Sequence, residues 1–78
     1  MEKDKHLVAL GCQIRELRKS KGLSQEQLAW QAEVDRSYVG GVERGERNIS
    51  FLTLIKIAKC LDCDVATFTK GIPKKNDK

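Results

Sequence analysis

The first apolar positions of the chain recur at the spacing of one face of an α-helix. Four of them are separated by three, four and three residues, and charged or polar side chains fill most positions between them. This pattern predicts a first helix over about residues 4–21, which Gly22 ends. The four apolar residues are Leu7, Leu10, Ile14 and Leu17.

Two shorter helices joined by a tight turn are predicted next. Ser24 and Gln27 have the Ser-x-x-Gln spacing of a capping box, which opens a second helix over about residues 25–32. After a two-residue turn, Asp35 is the expected N-cap of a third helix over about residues 36–44. Such a pair has the geometry of a helix-turn-helix, although many small helical bundles contain one. The inward positions are predicted to be Leu28, Ala29, Ala32, Val39 and Val42.

Two further helices complete the predicted fold. Ser50 caps a fourth helix over about residues 51–61, and Asp64 caps a fifth over residues 65–69. No segment alternates in the manner of a β-strand, so the predicted fold class is all-α, a compact bundle of five helices. The inner face of the fourth helix is predicted to hold Leu54, Ile55, Ala58 and Leu61.

The length and charge of the chain narrow its class without deciding it. Seventy-eight residues suffice for one small domain over residues 1–72, and the basic tail over residues 73–78 is expected to be disordered. The formal net charge of +4 favours a polyanionic partner such as nucleic acid, but the tail alone supplies +2 of it. With no run of eighteen apolar residues and no leader-like segment, the expected location is the cytoplasm.

The three cysteines are predicted to be reduced thiols, because their number is odd and no export signal is recognised. Cys60 and Cys63 have metal-ligand spacing, but only Cys12 and His6 remain as further ligands, and neither belongs to a paired motif. No metal and no other cofactor is therefore expected. The simpler interpretation is that these cysteines are small apolar fillers around a helix end.

Three segments of the chain resemble a known family. IRELRKSKGLSQEQLA, DRSYVGGVERGERN and LTLIKIAKCL are similar to the Xre-type helix-turn-helix of lambdoid phage repressors, and most similar to the controller proteins of bacterial restriction-modification systems. The resemblance spans about residues 13–68 and implies a lambda-repressor-like fold that binds double-stranded DNA. Many relatives carry proline where Ile49 stands, but Ser50 still supplies a capping oxygen. The features that carry the resemblance are Gly22-Leu23-Ser24-Gln25, Leu28-Ala29, Arg36-Ser37-Tyr38 and Glu43-Arg44-Gly45.

The start of the third helix is the expected base-reading surface if this helix enters the major groove. Arg36 can give two parallel hydrogen bonds to O6 and N7 of guanine, which are worth about 1–3 kcal/mol of discrimination. Ser37 can donate, accept or touch a thymine methyl, so its base preference is open. The alternative for Arg36 is a solvated arginine at a helix start, which the helix dipole disfavours.

Gly40 and Gly41 follow one turn later on the stripe of Arg36 and Ser37, and they complete the expected set of base contacts. Each glycine in a helix interior costs about 1 kcal/mol relative to alanine, so the pair needs a reason. Either the missing side chains let the helix approach the base edges, or they relieve crowding against a neighbouring helix. Both interpretations are open from the sequence.

Side chains that flank this surface are expected to contact phosphates. Gln25 begins the second helix, where free backbone N–H groups and a side-chain amide suit a phosphate oxygen. For each arginine of the set, the alternative is a surface ion pair with Glu43 or Glu46. Trp30 lies off the core stripe and is either an exposed ring that reaches a phosphate or a lid over the core. The expected phosphate contacts are Ser24, Gln25, Tyr38, Arg44, Arg47 and Asn48.

An acidic residue in the third helix needs a separate explanation, because Glu43 would repel phosphates if it faced DNA. The resemblance implies that it turns inward and pairs with Arg18 of the first helix. This ion pair would tie the third helix to the rest of the domain.

A homodimer on a pseudo-palindromic operator is expected, because one domain offers too few base-reading side chains for a specific site. The expected interface is the C-terminal region, where apolar side chains are left after the core is filled. For Phe68 the alternative is that it completes the core of its own chain. The expected interface residues are Val65, Phe68 and Ile72, with Leu52 as a further candidate.

The function that the resemblance implies is sequence-specific regulation of transcription, as repressor or activator, with no small-molecule effector evident. Autoregulation and control of a restriction-modification operon belong to that implication; an antitoxin or a phage-type repressor is the alternative. A protein-interaction module that reuses the fold is an alternative of another class. An enzyme is not expected, because His6 is the only histidine and no catalytic set has a meaningful spacing.

Overall fold

A computed structural model describes residues 3–73 of the chain. These residues contain five α-helices. These residues contain no strand, which confirms the predicted all-α class. None of the helices in this part is both long and apolar enough to cross a membrane. Apart from Pro73, the expected disordered tail lies outside the described residues. The helices are α1 Lys5–Ser20, α2 Gln25–Ala32, α3 Arg36–Glu43, α4 Phe51–Cys60 and α5 Val65–Thr69.

Side-chain caps explain where α1 and α2 begin. The carboxylate of Asp4 accepts hydrogen bonds from the backbone N–H groups of His6 and Leu7 at 2.8 and 3.2 Å. The hydroxyl of Ser24 accepts from the N–H of Gln27 at 3.0 Å, and the side-chain oxygen of Gln27 accepts from the N–H of Ser24 at 2.8 Å. The predicted capping box is therefore present.

The predicted capping bonds are wrong at the starts of α3 and α5, although the helices begin where expected. Asp35 and Asp64 stand at the N-cap positions, but neither side chain caps the backbone. The Asp35 carboxylate accepts a hydrogen bond from the hydroxyl of Ser37, and that of Asp64 accepts one from Thr67 at 3.2 Å. In each case a nearby hydroxyl competes with the backbone for the carboxylate.

The turn between α2 and α3 is tight because Glu33 adopts a left-handed backbone conformation with a φ of 59°. The N–H of Val34 then donates to the carbonyl oxygen of Ala29 at 2.9 Å, which closes the end of α2. Only three residues separate the two helices. The predicted helix-turn-helix is therefore formed by α2 and α3.

The core draws on one face of every helix, and two predictions about it need correction. Ile57 of α4 is fully buried, whereas Ile55, which was expected on the inner face, is only partly buried. Phe68 of α5 is also fully buried in its own chain. The prediction that it lies at a dimer surface is wrong, because a ring without exposed area cannot contact a second protomer. The alternative, that Phe68 completes the core, is confirmed.

The backbones of α1 and α3 come close together at Gly11. A Cβ built at this position would lie 2.6 Å from the carbonyl oxygen of Glu43, and closer still to that of Val42. Only glycine leaves room for a backbone at such a distance. The end of α3 therefore rests directly on the backbone of α1.

Candidate nucleic-acid interface

The first turn of α3 presents the two side chains that were predicted to read bases. Arg36 and Ser37 are both exposed. Within the described residues no carboxylate pairs with Arg36, so its guanidinium is free to meet an external acceptor. The Ser37 hydroxyl donates to the carboxylate of Asp35, which leaves its oxygen as the group available to a base.

Gly40 and Gly41 lie one turn further along α3, but both are buried. A Cβ at Gly40 would lie 3.0 Å from the guanidinium of Arg44 and 3.5 Å from the side-chain oxygen of Gln25. A Cβ at Gly41 would lie 2.5 Å from Cγ of Arg47. Neither glycine is therefore an open shallow surface: Gly41 faces Arg47 of the following turn, and Gly40 faces Arg44 and Gln25 of α2. Both glycines are covered by side chains that were expected to bind phosphates, and their own base contacts stay a prediction.

Arg47 stacks on an aromatic ring instead of joining an acidic partner. Its guanidinium carbon lies 5.1 Å from the centroid of the Tyr38 ring, within the range of a cation–π interaction. The ion pair that was its alternative is absent from the described residues. Asn48, the next residue, is also exposed.

Arg44 forms a surface ion pair, which was the alternative expected for it. Its Nε lies 3.1 Å from a carboxylate oxygen of Glu46, and Lys3 approaches the other oxygen at 3.4 Å. The hydrogen bond from Arg44 and the charges of Arg44 and Lys3 hold the pKa of Glu46 below its ordinary value. All three side chains are exposed, so Arg44 can leave this pair for a phosphate at little expense.

Arg18 and Glu43 form the predicted ion pair, and both side chains are buried. Arg18 donates to the two carboxylate oxygens at 2.6 and 3.0 Å, a bidentate arrangement. A third nitrogen of Arg18 donates to the carbonyl oxygen of Leu23 at 2.7 Å. Gln25 adds a further hydrogen bond to Glu43 at 3.0 Å. One carboxylate thus joins α1, the start of α2 and the end of α3.

The start of α2 presents its backbone more freely than its side chains. The amide of Gln25 is engaged with Glu43, and the hydroxyl of Ser24 is engaged in the capping box. The N–H groups of Gln25 and Glu26, by contrast, have no acceptor inside the helix, whereas that of Gln27 donates to the Ser24 hydroxyl. A phosphate at this end would therefore meet backbone N–H groups first.

Exposed apolar side chains occur at three places outside this surface, and the first is Val8 of α1, at 36% exposure. Trp30 of α2 is 83% exposed, which excludes the role of a lid over the core. Phe51 and Leu52, at the start of α4, are 65% and 72% exposed. The predicted interface residues Val65 and Ile72 are only partly buried, and they pack against the core of their own chain.

Cys60 and Cys63 are partly buried and pack against the hydrophobic core. Burial raises the pKa of both thiols above the ordinary value for cysteine, so they are less reactive than exposed ones. Residues 3–73 contain no group of three or more side chains that could hold a metal ion. These observations support their interpretation as apolar fillers.

Known regulators are similar to this chain along most of its length. Residues 14–68 match the family HTH_3, described as helix-turn-helix. Control protein C.SmaI of Serratia marcescens is 42% identical over 64 residues, which is 82% of this chain and 76% of that protein. The crystal structure of the restriction-modification controller protein C.AhdI from Aeromonas hydrophila superposes with a TM-score of 0.82 and 51% identity, over 83% of this chain and 98% of the other. The master regulator for biofilm formation SinR, solved in complex with DNA, superposes with a TM-score of 0.73 and 38% identity, over 76% and 95% of the two chains.

Proposed function

This chain belongs to the helix-turn-helix family HTH_3, and from that membership we propose that it regulates transcription by binding a specific operator as a homodimer. The relatives that are control proteins of restriction-modification systems support a role as controller of such an operon. We further propose that it acts on its own promoter, in the cytoplasm. Residues 1–72 form the DNA-binding domain in this proposal.

The observation that carries this proposal is the exposed first turn of α3 on a firmly anchored helix. Arg36 and Ser37 project from that turn, and the buried pair of Glu43 and Arg18 holds the other end of the helix. A recognition helix must keep its register in the major groove, because base contacts depend on the positions of a few atoms. In this proposal the first turn of α3 carries the reading side chains, and the buried ion pair keeps the helix in position.

Base reading and phosphate binding fall to different groups in this proposal. Arg36 reads a guanine, with Ser37 beside it, because both are exposed at the start of α3. Phosphates are bound by the N–H groups at the start of α2 and by the movable side chains around the end of α3. The proposed phosphate contacts remain Ser24, Gln25, Tyr38, Arg44, Arg47 and Asn48.

Homodimerisation is proposed through the apolar surface at the start of α4, and through the C-terminal residues Val65 and Ile72. Phe51 and Leu52 are neighbours in the chain and expose most of their side chains. Val65 and Ile72 retain partial exposure, so they stay in the proposed interface. A two-fold dimer would place two copies of α3 in successive turns of the major groove.

Selection of bound fragments from a random duplex pool at near-physiological salt tests the proposal directly. We expect an enriched pseudo-palindrome whose half-site centres lie about 34–36 Å apart. A steep fall of affinity with salt should accompany it, because several phosphates are neutralised on binding. Failure to enrich any motif, together with a shallow salt dependence, would favour a protein-interaction module instead.

Autoregulation is tested by the position of the selected operator. We expect the motif to occur upstream of the coding region of this chain, and a reporter driven by that region to respond to the concentration of the protein. A motif found only at distant promoters, with a reporter that does not respond, would contradict this part of the proposal.

A further inference from the structure

Gly41 and Arg47 are in contact although they lie six positions apart in the sequence. Neighbours on a helix face lie three or four residues apart, so this contact requires the chain to turn back after α3. It does so at Gly45, whose φ is 77°. Cγ of Arg47 then lies 2.5 Å from the place that a Cβ of residue 41 would take, and Cδ lies 3.4 Å from it. The aliphatic stem of Arg47 is therefore laid flat against α3.

Tyr38 holds the other end of the same side chain. The guanidinium carbon of Arg47 lies 5.1 Å from the ring centroid, so its charge is kept near the face of the helix. Ser37, Tyr38 and Arg47 line one shallow hollow beside the start of α3. The charge of Arg47 is thus placed next to the surface that carries Ser37, although the residue itself follows the helix.

Resting on the proposed DNA binding, we infer that Gly41 is a positioning residue for Arg47. The missing Cβ leaves the space in which the aliphatic part of the Arg47 side chain packs. The Tyr38 ring fixes the guanidinium on the DNA-facing side of α3. Gly41 then contributes to binding through Arg47 and without touching a base. This role differs from both explanations that the sequence offered for the glycine.

This tight packing of an arginine side chain is found at position 41 and not at position 40. A Cβ at position 41 would displace Cγ, which is close to the Arg47 backbone, so the whole side chain would have to rotate away from the ring. At Gly40 the nearest atom is instead the terminal Nη1 of Arg44, at 3.0 Å. The far end of a flexible side chain moves aside easily. Gly40→Ala is therefore a matched control for Gly41→Ala.

The stacking of Arg47 on the Tyr38 ring can be measured by nuclear magnetic resonance on the protein without DNA. The ring current of Tyr38 should shift the δ-methylene protons of Arg47 upfield. We expect Gly41→Ala to return these protons to the positions of an unstacked arginine, and Gly40→Ala to leave them in place. Both variants should remain folded, because alanine favours the helix. Unchanged chemical shifts in Gly41→Ala would contradict the inference that Gly41 positions Arg47.

A double-mutant cycle on the selected operator tests the consequence for binding. We expect Gly41→Ala to lower affinity by about fivefold or more in the wild-type background, and to have no effect once Arg47 is alanine. Its salt dependence should approach that of Arg47→Ala. If Gly41 faced the bases directly, the added methyl group would weaken binding by the same factor in both backgrounds, and the inference would be wrong.

The two measurements separate the inference from the function on which it rests. Absence of any selected operator for the wild-type protein would overturn the proposed function, and with it the DNA role of Arg47. Operator binding by the wild type, with equal losses for Gly41→Ala in both backgrounds, would overturn the inference alone.

Discussion

Three arginines in α3 and in the turn after it differ in the partners that hold their side chains. Arg36 is exposed and has no ionic partner among the described residues, so its five donors are available to a base edge. Arg44 is held by Glu46 in an exposed pair. Arg47 is held by the ring of Tyr38. Removing one of these arginines should therefore have a different consequence in each case.

Arg36→Ala should relax specificity at one base pair of each half-site. We expect the discrimination against the wrong base at that position to fall by about 1–3 kcal/mol, because a bidentate contact to guanine is lost. Arg47→Ala is the comparison, since loss of a phosphate contact weakens all sequences alike and lowers the salt slope by about one. Fluorescence anisotropy on the operator and its single-base variants measures both effects. An Arg36→Ala variant that weakened every sequence equally would contradict the assignment.

Glu43→Gln should destabilise the fold first and weaken DNA binding second. The change leaves the buried Arg18 charge without its partner, and breaking a buried pair in this way costs about 3–5 kcal/mol. Urea denaturation followed by circular dichroism measures the loss. Glu46→Gln is the surface control, and we expect it to leave the denaturation midpoint almost unchanged. A Glu43→Gln variant that kept its stability but lost DNA binding would show that the carboxylate acts elsewhere.

At the scale of elements, the contact between α1 and α3 depends on the absence of a side chain at Gly11. We expect Gly11→Ala to lower the free energy of unfolding by about 1–3 kcal/mol, because the methyl group would force the two backbones apart. Thermal and urea denaturation measure this loss. Gly41→Ala is the control in the same molecule, since its added methyl group meets the Arg47 side chain and no backbone, so its loss of stability should be smaller. Equal stabilities of the two variants would contradict the close approach.

Helix starts could be predicted from the sequence where their chemistry is local. Ser24 and Gln27 satisfy each other's backbone within one turn, so their spacing is sufficient information. Asp35 failed in its capping role because a third group, the hydroxyl of Ser37, competes for its carboxylate. The positions of the helices were thus predictable, whereas the individual bonds at their ends were not.

Contacts between helices were harder to predict than the helices themselves. Ile55 and Ile57 both fit an amphipathic pattern, and the rotation of α4 about its axis decides which one is buried. No sequence pattern around Gly11 indicates that the backbone of α3 lies against it. The pair of Arg18 and Glu43 followed from the resemblance to a family and not from periodicity. The exposure of Arg36 and Ser37 could be predicted because they lie at a helix start, but the covering of Gly41 by Arg47 depends on the fold of the following turn.

At the scale of the whole molecule, the start of α4 should control assembly. We expect Leu52→Glu to dissociate the homodimer, because it places a charge on an apolar surface that would otherwise be buried between protomers. Sedimentation velocity measures the change, and operator binding should become weak and confined to single half-sites. Lys59→Gln is the matched control: it alters the net charge by the same amount on an exposed position of the same helix. A dimer that persisted in Leu52→Glu would move the interface to another surface.

Trp30 is the only tryptophan of the chain, and it is 83% exposed while the domain is folded. Water around an exposed indole relaxes its excited state, so its emission should lie near that of free tryptophan before any unfolding begins. The emission of Trp30 will then change little on denaturation. Circular dichroism is therefore the better measure of the loss of helices. The same exposure makes the ring a built-in probe of occupancy. A blue shift of its emission would report any molecule that covers α2, without an added label.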